Sequence, residues 1–291
     1  VNPSLSIIYK LNYAWRFTAH ASYKERYGEM TDLYDRPYQT DYRNSVWNCG
    51  ILPVYRQQLY SVYGEYKNTA REFFATVNLT HNREWYNRIY EQRIENGQVQ
   101  RVSLPLSNHG SRYTVKSTLS KGFYELGLKT SFLVLLNISK AEQISGGQRL
   151  PYQYRLIRLE PKVIWTPNRH WETSYQTDIR YGGNKIGERT RLAPLWNVTQ
   201  QVQLSYIFSP IEASLSVDHY HNDVNEDQSV NAVFADFSVS WKSGRWQITA
   251  TATNLFDKRT YAYTRYASLE SYTSWVRIRP REFLVAIRYQ L

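Results

Sequence analysis

The chain has 291 residues and a single cysteine, Cys49, so no disulfide can form within it. Its longest purely apolar run, Phe132 to Leu136, is far short of the roughly 20 residues of a spanning helix, which excludes a helical membrane protein. The formal charge of +11 comes from basic residues scattered through the chain rather than gathered on a helix or tail. Nucleic acid is therefore not the expected partner, and a basic lumen or basic loops account for the charge equally well.

From the N-terminus onward the apolar period is two. Leu5, Ile7, Tyr9 and Leu11 open the pattern, followed by Trp15, Phe17, Ala19, Ala21 and Tyr23, then Phe73, Ala75, Val77 and Leu79. Tyr124, Leu126, Leu128, Phe132, Val134 and Leu136 continue it, then Val198, Val202, Leu204, Tyr206 and Phe208, and Ile211, Ala213, Leu215 and Val217. Val233, Ala235, Phe237, Val239 and Trp241 precede Trp246, Ile248, Ala250 and Ala252, and the chain ends on Phe283, Val285, Ile287, Tyr289 and Leu291. Short turns fall at Leu11-Asn12, Lys67 to Arg71, Lys121-Gly122, Pro167 to Arg169, Ser209-Pro210 and Lys242 to Arg245. Between these hairpins lie long polar segments near 28–53, 82–109, 140–150, 183–192, 219–230 and 257–275. Tight turns alternating with long loops predict an all-β, antiparallel transmembrane β-barrel, with the turns periplasmic and the loops outside. The mean hydropathy of -0.59 agrees, because lipid-facing and water-facing residues cancel along each strand. Trp165 with Trp171, and Trp241 with Trp246, bracket short turns as interfacial aromatics do.

The count is about thirteen strands, an odd number, whereas a bacterial barrel has an even one. An open sheet also leaves edges that lipid does not tolerate. Residues 1–291 are therefore expected to be the C-terminal portion of a larger barrel. Val1-Asn2-Pro3-Ser4 carries no secretory signal, as in a mature or truncated chain.

Ala252 to Arg259, with Asn254-Leu255-Phe256-Asp257-Lys258 at its centre, resembles the penultimate-strand motif of TonB-dependent outer-membrane receptors. The tail Arg277 to Leu291, entered through Pro280-Arg281, is similar to their last strand, with Leu291 where Phe is usual. The many tyrosines and Lys-Asn turns resemble barrels of the Bacteroidetes. The resemblance implies a plugged 22-stranded barrel, of which this chain holds the C-terminal part and not the plug domain. It implies active import of a nutrient (an oligosaccharide, a peptide or a metal chelate), energised by the TonB complex through that plug. Outer-membrane lipids would be a partner, and a surface lipoprotein another. A passive channel or structural barrel without energy coupling is the alternative.

No catalytic constellation emerges, and neither an enzyme nor a cofactor is expected. The loop 28–50 is the candidate ligand contact: Tyr34, Tyr38, Tyr42 and Trp47 offer aromatic faces, and Arg36 and Arg43 can fix orientation by hydrogen bonds. A loop stabilised by its own aromatics would read the same. His219 and His221 share a strand face, but no further Cys or His is near enough in sequence to build a metal site. Asp218, Asp223, Glu226 and Asp227 make that region acidic. Glu125, Lys129, Arg155 and Lys162 are candidate lumen-facing charges. The acceptor patterns at Asn78, Asn137 and Asn197 fall within predicted strands, where glycosylation does not occur.

Overall fold

The structure, a computed structural model, describes residues 2–95, 98–187, 190–191, 193–225, 227–267 and 270–290. The first alternating runs form β1 (Ser4–Lys10) and β2 (Trp15–Tyr27). The long segment that follows holds a 3-10 turn (Met30–Leu33), β3 (Tyr38–Gln39) and β4 (Asn44–Trp47). Then come β5 (Val54–Asn68), β6 (Phe73–Tyr86), the hairpin β7 (Ile89–Glu95) and β8 (Gln98–Leu104), and β9 (Asn108–Phe123). β10 (Leu128–Ser145), β11 (Gln148–Asn168) and β12 (Trp171–Ile186) are the longest group. The chain continues through β13 (Thr190–Arg191), β14 (Leu195–Phe208), β15 (Ile211–Asp223), β16 (Ser229–Ser243) and β17 (Trp246–Thr253). A hairpin of β18 (Thr260–Ala267) and β19 (Glu270–Arg277) precedes the final β20 (Glu282–Tyr289).

Thirteen of these strands make one antiparallel wall in the order β1–β2–β5–β6–β9–β10–β11–β12–β14–β15–β16–β17–β20. Among the described residues β1 and β20 are each paired on one side only, so the wall is open.

Register puts the apolar positions of every strand on one face. Ile7 lies opposite Ala19, Ala19 opposite Val62, Val62 opposite Leu79, Leu79 opposite Val115 and Val115 opposite Leu136. Leu136 continues to Ile157, and Ile157 to Tyr181. Many of these are open to the surroundings, Val62 at 52% and Leu79 at 48%, as lipid-facing residues must be. Two aromatic rows bound the belt. One, at the short-turn rim, pairs Trp15 with Tyr66, Trp171 with Tyr206 and Trp246 with Tyr289 at 4.6–4.8 Å. The other pairs Tyr181 with Trp196 and His81 with Tyr113. Trp171 and Tyr181 lie roughly ten residues apart on β12, which at about 3.3 Å per residue and a tilt near 40° spans about 25 Å, the height of a barrel's lipid belt.

The opposite, inner face is polar, and many of its groups pair across strands. Arg16 meets Glu65 at 2.7 Å, Ser214 meets Ser238 at 2.8 Å, and Arg158 grips Asp178 with two bonds of 3.0 Å.

Four expectations need correction. Residues 140–150 are not a loop: β10 and β11 run to Ser145 and from Gln148 and close on Gly146-Gly147, both at positive φ (57° and 76°), which only glycine adopts freely. The 219–230 segment is likewise strand up to Asp223 and from Ser229. Above the lipid belt both faces meet water, so the hydropathy period vanishes while the hydrogen-bonded ladder continues. Third, Arg155 lies opposite Ile138 on the apolar face, so it points outward rather than into the lumen. Tyr124 to Leu126, read as strand, is a 3-10 turn ending at Gly127 (φ 59°), which shifts the hairpin turn past Lys121-Gly122. Glu226 and Leu291 lie outside the described residues.

Candidate functional site

The first two long loops fold over the inner face instead of projecting away from it. β4 pairs in parallel with β8, Asn44 opposite Val99 through Trp47 opposite Val102. β7 pairs in parallel with the top of β10, where Ile144 and Ser145 meet Glu91 and Gln92. A small loop sheet is thereby stitched to the wall by backbone hydrogen bonds. Its base is fixed by Asn87, whose Oδ1 accepts from Val54 N at 2.9 Å and whose Nδ2 donates to Leu52 O at 3.0 Å. Ile89 is fully buried beneath it.

Between this sheet and the wall lies a cavity of about 870 Å³. Its walls carry Tyr55, Tyr86, Tyr90 and Tyr152 with Arg88, Arg101, Arg112 and Lys140, and the acids Asp41, Glu84, Glu91 and Glu142. Tyr55 and Tyr86 meet edge to face at 5.3 Å. The Arg101 guanidinium sits 3.6 Å above the Tyr90 ring, and Arg88 is 5.0 Å from the same ring. Arg88 is nearly buried; its Nη1 donates to Asp32 at 2.9 Å and its Nη2 to the Tyr55 hydroxyl at 2.5 Å, while its Nε has no partner. Burial opposes the Arg88 charge, but the bond to Asp32 and the neighbouring tyrosines outweigh it and hold the pKa above the ordinary arginine value. Burial pushes the Tyr90 hydroxyl up, so it remains a neutral donor against the pull of the two guanidiniums. The acids are already bonded: Glu84 accepts from Tyr86 and Asn82, Glu91 from Arg93 at 2.6 Å and from Gly147 N at 3.1 Å, Asp41 from Arg43 N at 2.8 Å and Asn44 N at 2.9 Å, and Glu142 from Arg149 at 3.1 Å. The cavity thus presents cationic and aromatic surface to a guest while its carboxylates are occupied.

None of the six loop residues expected from the sequence lines this cavity. Tyr34 and Tyr38 pack edge to face at 6.0 Å, both exposed. Tyr42 is 79% exposed with Arg43 5.4 Å from its ring, and Trp47 donates its indole N–H to Asp35 at 3.1 Å. Arg36 is exposed on the same surface. The loop gives the cavity Thr40, Asp41, Asn44, Ser45 and Val46 instead. The residues that sequence reasoning missed sit at Arg88 to Tyr90, where a cation and an aromatic share one face of a short loop strand.

His219 and His221 stand on the outward face. His219 Nδ1 is 3.2 Å from Gln200 Oε1, and His221 meets Asn231 at 2.8 Å and Asp223 at 3.4 Å. Among the described residues no group of three or more His, Cys, Asp or Glu is placed to hold a metal ion.

The long connection after β17 also turns inward. Asn254, almost buried and at φ 51°, accepts from Lys258 N through Oδ1 at 2.9 Å and donates through Nδ2 to Lys258 O and Arg279 O, both at 2.8 Å. That knot aims the β18–β19 hairpin over the inner face, where Tyr261 packs on Tyr220 at 5.2 Å and its hydroxyl accepts from Asn222 at 3.0 Å.

No family model matches the chain, and no curated protein matches it. Among solved structures it is similar to the ferric yersiniabactin uptake receptor FyuA from Yersinia pestis, with a TM-score of 0.52 at 8% identity. The fold is that of an outer-membrane β-barrel wall. The match covers 100% of this chain and 50% of FyuA, so the chain spans about half the length of that receptor. FpvA of P. aeruginosa, in complex with an iron-loaded heterologous pyoverdine, is a further match at 11% identity, covering 98% of this chain and 44% of FpvA, with a TM-score of 0.48.

Proposed function

We propose that the chain forms part of the wall and the outer loops of a TonB-dependent transporter that imports a nutrient across the bacterial outer membrane. The observation that carries this reading is the cavity roofed by loops on the inner face, with three guanidiniums, four tyrosines and four acids that are already bonded. The Asn254-Leu255-Phe256-Asp257-Lys258 resemblance supports the same family. Cations beside aromatic rings suit a ligand with anionic oxygens and planar rings, which favours a metal chelate over a neutral oligosaccharide or a peptide. Tyr34, Tyr38, Tyr42, Trp47, Arg36 and Arg43, on the outer surface of the roof, would make first contact with that ligand. Energy would come from the TonB complex through a plug domain, and a surface lipoprotein could deliver the ligand.

The open edges of β1 and β20 would be covered by further wall strands, because unpaired backbone is not tolerated in lipid. The protein isolated from its native membrane should then have an intact mass well above 34.5 kDa. The functional test is uptake of radio-iron presented as a ferric catecholate or ferric carboxylate chelate by whole cells. Uptake that stops with a proton uncoupler and falls with Arg101→Ala supports the reading. A steady ionic conductance of the purified protein in planar bilayers, with uncoupler-insensitive uptake, would replace it with a passive channel.

A further inference from the structure

Above the outer aromatic row, the lipid-facing side of the wall carries a row of cations confined to one sector. On β6 the outward position after His81 is Arg83, on β10 the one after Ile138 is Lys140, and on β11 the one after Ile157 is Arg155. On β12, Gly183 separates Tyr181 from Lys185. Register joins them: Arg83 lies opposite Ser111, Ser111 opposite Lys140, Lys140 opposite Gln153 and Gln153 opposite Lys185. Lys140 and Lys185 are thus two strands apart, about 10 Å at the backbone, and their long side chains can reach one group between them. With its amide oriented as its hydrogen bonds require, Gln153 accepts from Arg155 Nε at 3.0 Å, which draws that guanidinium up into the row.

Nothing among the described residues answers this charge with an ion pair. Among the described residues, Arg83, Lys140, Arg155 and Lys185 form no ion pair. Among the described residues one acid on this face, Glu142, lines the same hollow, and it is held by Arg149 at 3.1 Å. Elsewhere on the rim the balance differs, with Arg56 paired to Glu25 at 3.3 Å and an acid, Asp223, on β15. Between Lys140, Gln153 and Lys185 the surface hollows into a cavity of about 350 Å³ that also includes His109. Directly below, Val115, Leu136, Ile157 and Leu159 continue the apolar belt.

Unpaired cations over a hollow, at headgroup height and above an apolar stripe, match a phosphate group attached to acyl chains. We propose that this sector binds the phosphorylated headgroup of an outer-leaflet membrane lipid, Lys140, Arg155 and Lys185 on the phosphate and the stripe below on its chains. Lys140 also borders the inner cavity, but Arg155 and Lys185 do not, so the site stands whether or not that cavity binds an imported ligand.

The test uses the full protein in detergent micelles, titrated with phosphatidic acid or phosphatidylcholine and followed by native mass spectrometry. Retention of phosphatidic acid at least about tenfold above phosphatidylcholine, weakened by salt, is expected for three clustered cations. The variant carrying Lys140→Gln, Arg155→Gln and Lys185→Gln should lose that preference, while Lys129→Gln with Lys162→Gln, on the inner face, should keep it. Equal retention of the two lipids by the unaltered protein overturns the proposal and needs no variant to fold. Inorganic phosphate displacing the lipid at equal concentration also overturns it, because the site would then be one for free anions.

Discussion

Arg101 and Tyr90 face each other across the loop hairpin, with the guanidinium carbon 3.6 Å above the centre of the ring. Arg88 approaches that ring from 5.0 Å, so one aromatic ring contacts two cations that would otherwise repel. A desolvated cation–π contact contributes about 2 kcal/mol. Tyr90→Leu keeps most of the volume and removes the quadrupole, leaving two close cations unscreened. Ligand affinity should fall by roughly tenfold or more, on the scale of about 1.4 kcal/mol per decade, while the wall unfolds at an unchanged denaturant concentration. Calorimetric titration and a urea gel distinguish the two readouts. Unchanged affinity would remove Tyr90 from the site.

Asp178 lies between two arginines on the inner face, bonded to Arg158 at 3.0 Å and to Arg180 at 2.6 Å. Arg158 also contacts Glu160. Asp178→Ala leaves Arg180 without an acid and Arg158 with one. These groups are partly open, so screening lowers the cost below that of a buried pair. A loss of about 1–3 kcal/mol is expected, the scale of charged hydrogen bonds. It should appear as a lower temperature for conversion to the unfolded band on a gel, and Asp178→Asn should recover part of it. A variant as heat-resistant as the parent would show that Glu160 takes over.

Asn254 combines a left-handed backbone with three side-chain hydrogen bonds that join the end of β17 to the start of β18 and to the return at Arg279. Asn tolerates that backbone better than other residues with a Cβ, apart from Asp. Asn254→Gly keeps the conformation and loses the bonds; Asn254→Ala loses both. Each buried partner left unmade costs about 1–3 kcal/mol. Membrane-assembled protein should therefore decrease in the order parent, Gly, Ala, measured as the heat-modifiable fraction in isolated envelopes. Equal assembly of all three would mean that the hairpin docks without the knot.

How legible all this was depended on where each residue sits relative to lipid. Inside the belt, one face is apolar and the other polar, so Val233 to Trp241 and Trp246 to Ala252 were readable as strands from alternation alone. Above the belt the two faces are alike, and Lys140 to Leu150 looked like a loop although its ladder is unbroken. The charge of Arg155 suggests the lumen, but its face is set by the register with Ile138 and Gly183. The cavity was less accessible still. Tyr55, Tyr90, Arg101 and Arg112 come from four separate segments, and only the parallel pairings β4–β8 and β7–β10 bring them together. The aromatic loop at 34–47 stood out by composition, yet folding turned its polar stretch, Thr40 to Val46, toward the cavity.

Asp257 closes the turn after β17, outside the strands. Its carboxylate accepts from Arg259 at 2.8 Å and from the Arg281 backbone N–H at 3.0 Å. The Arg259 bond first, then the Arg281 N–H, hold its pKa below the ordinary carboxylate value of 3.8. A group whose folded pKa is depressed contributes stability that is present above the unfolded value and is lost as pH falls through the folded one. Protection of the Arg281 amide from hydrogen exchange, corrected for intrinsic rate, should accordingly hold steady down to the ordinary carboxylate range. It should fall only at more acidic pH. Asp257→Asn should show weaker protection at neutral pH and no such acid step, with the two proteins converging once Asp257 is protonated. A step near neutral pH in the parent, or the same acid step in Asp257→Asn, would assign the titration to another group.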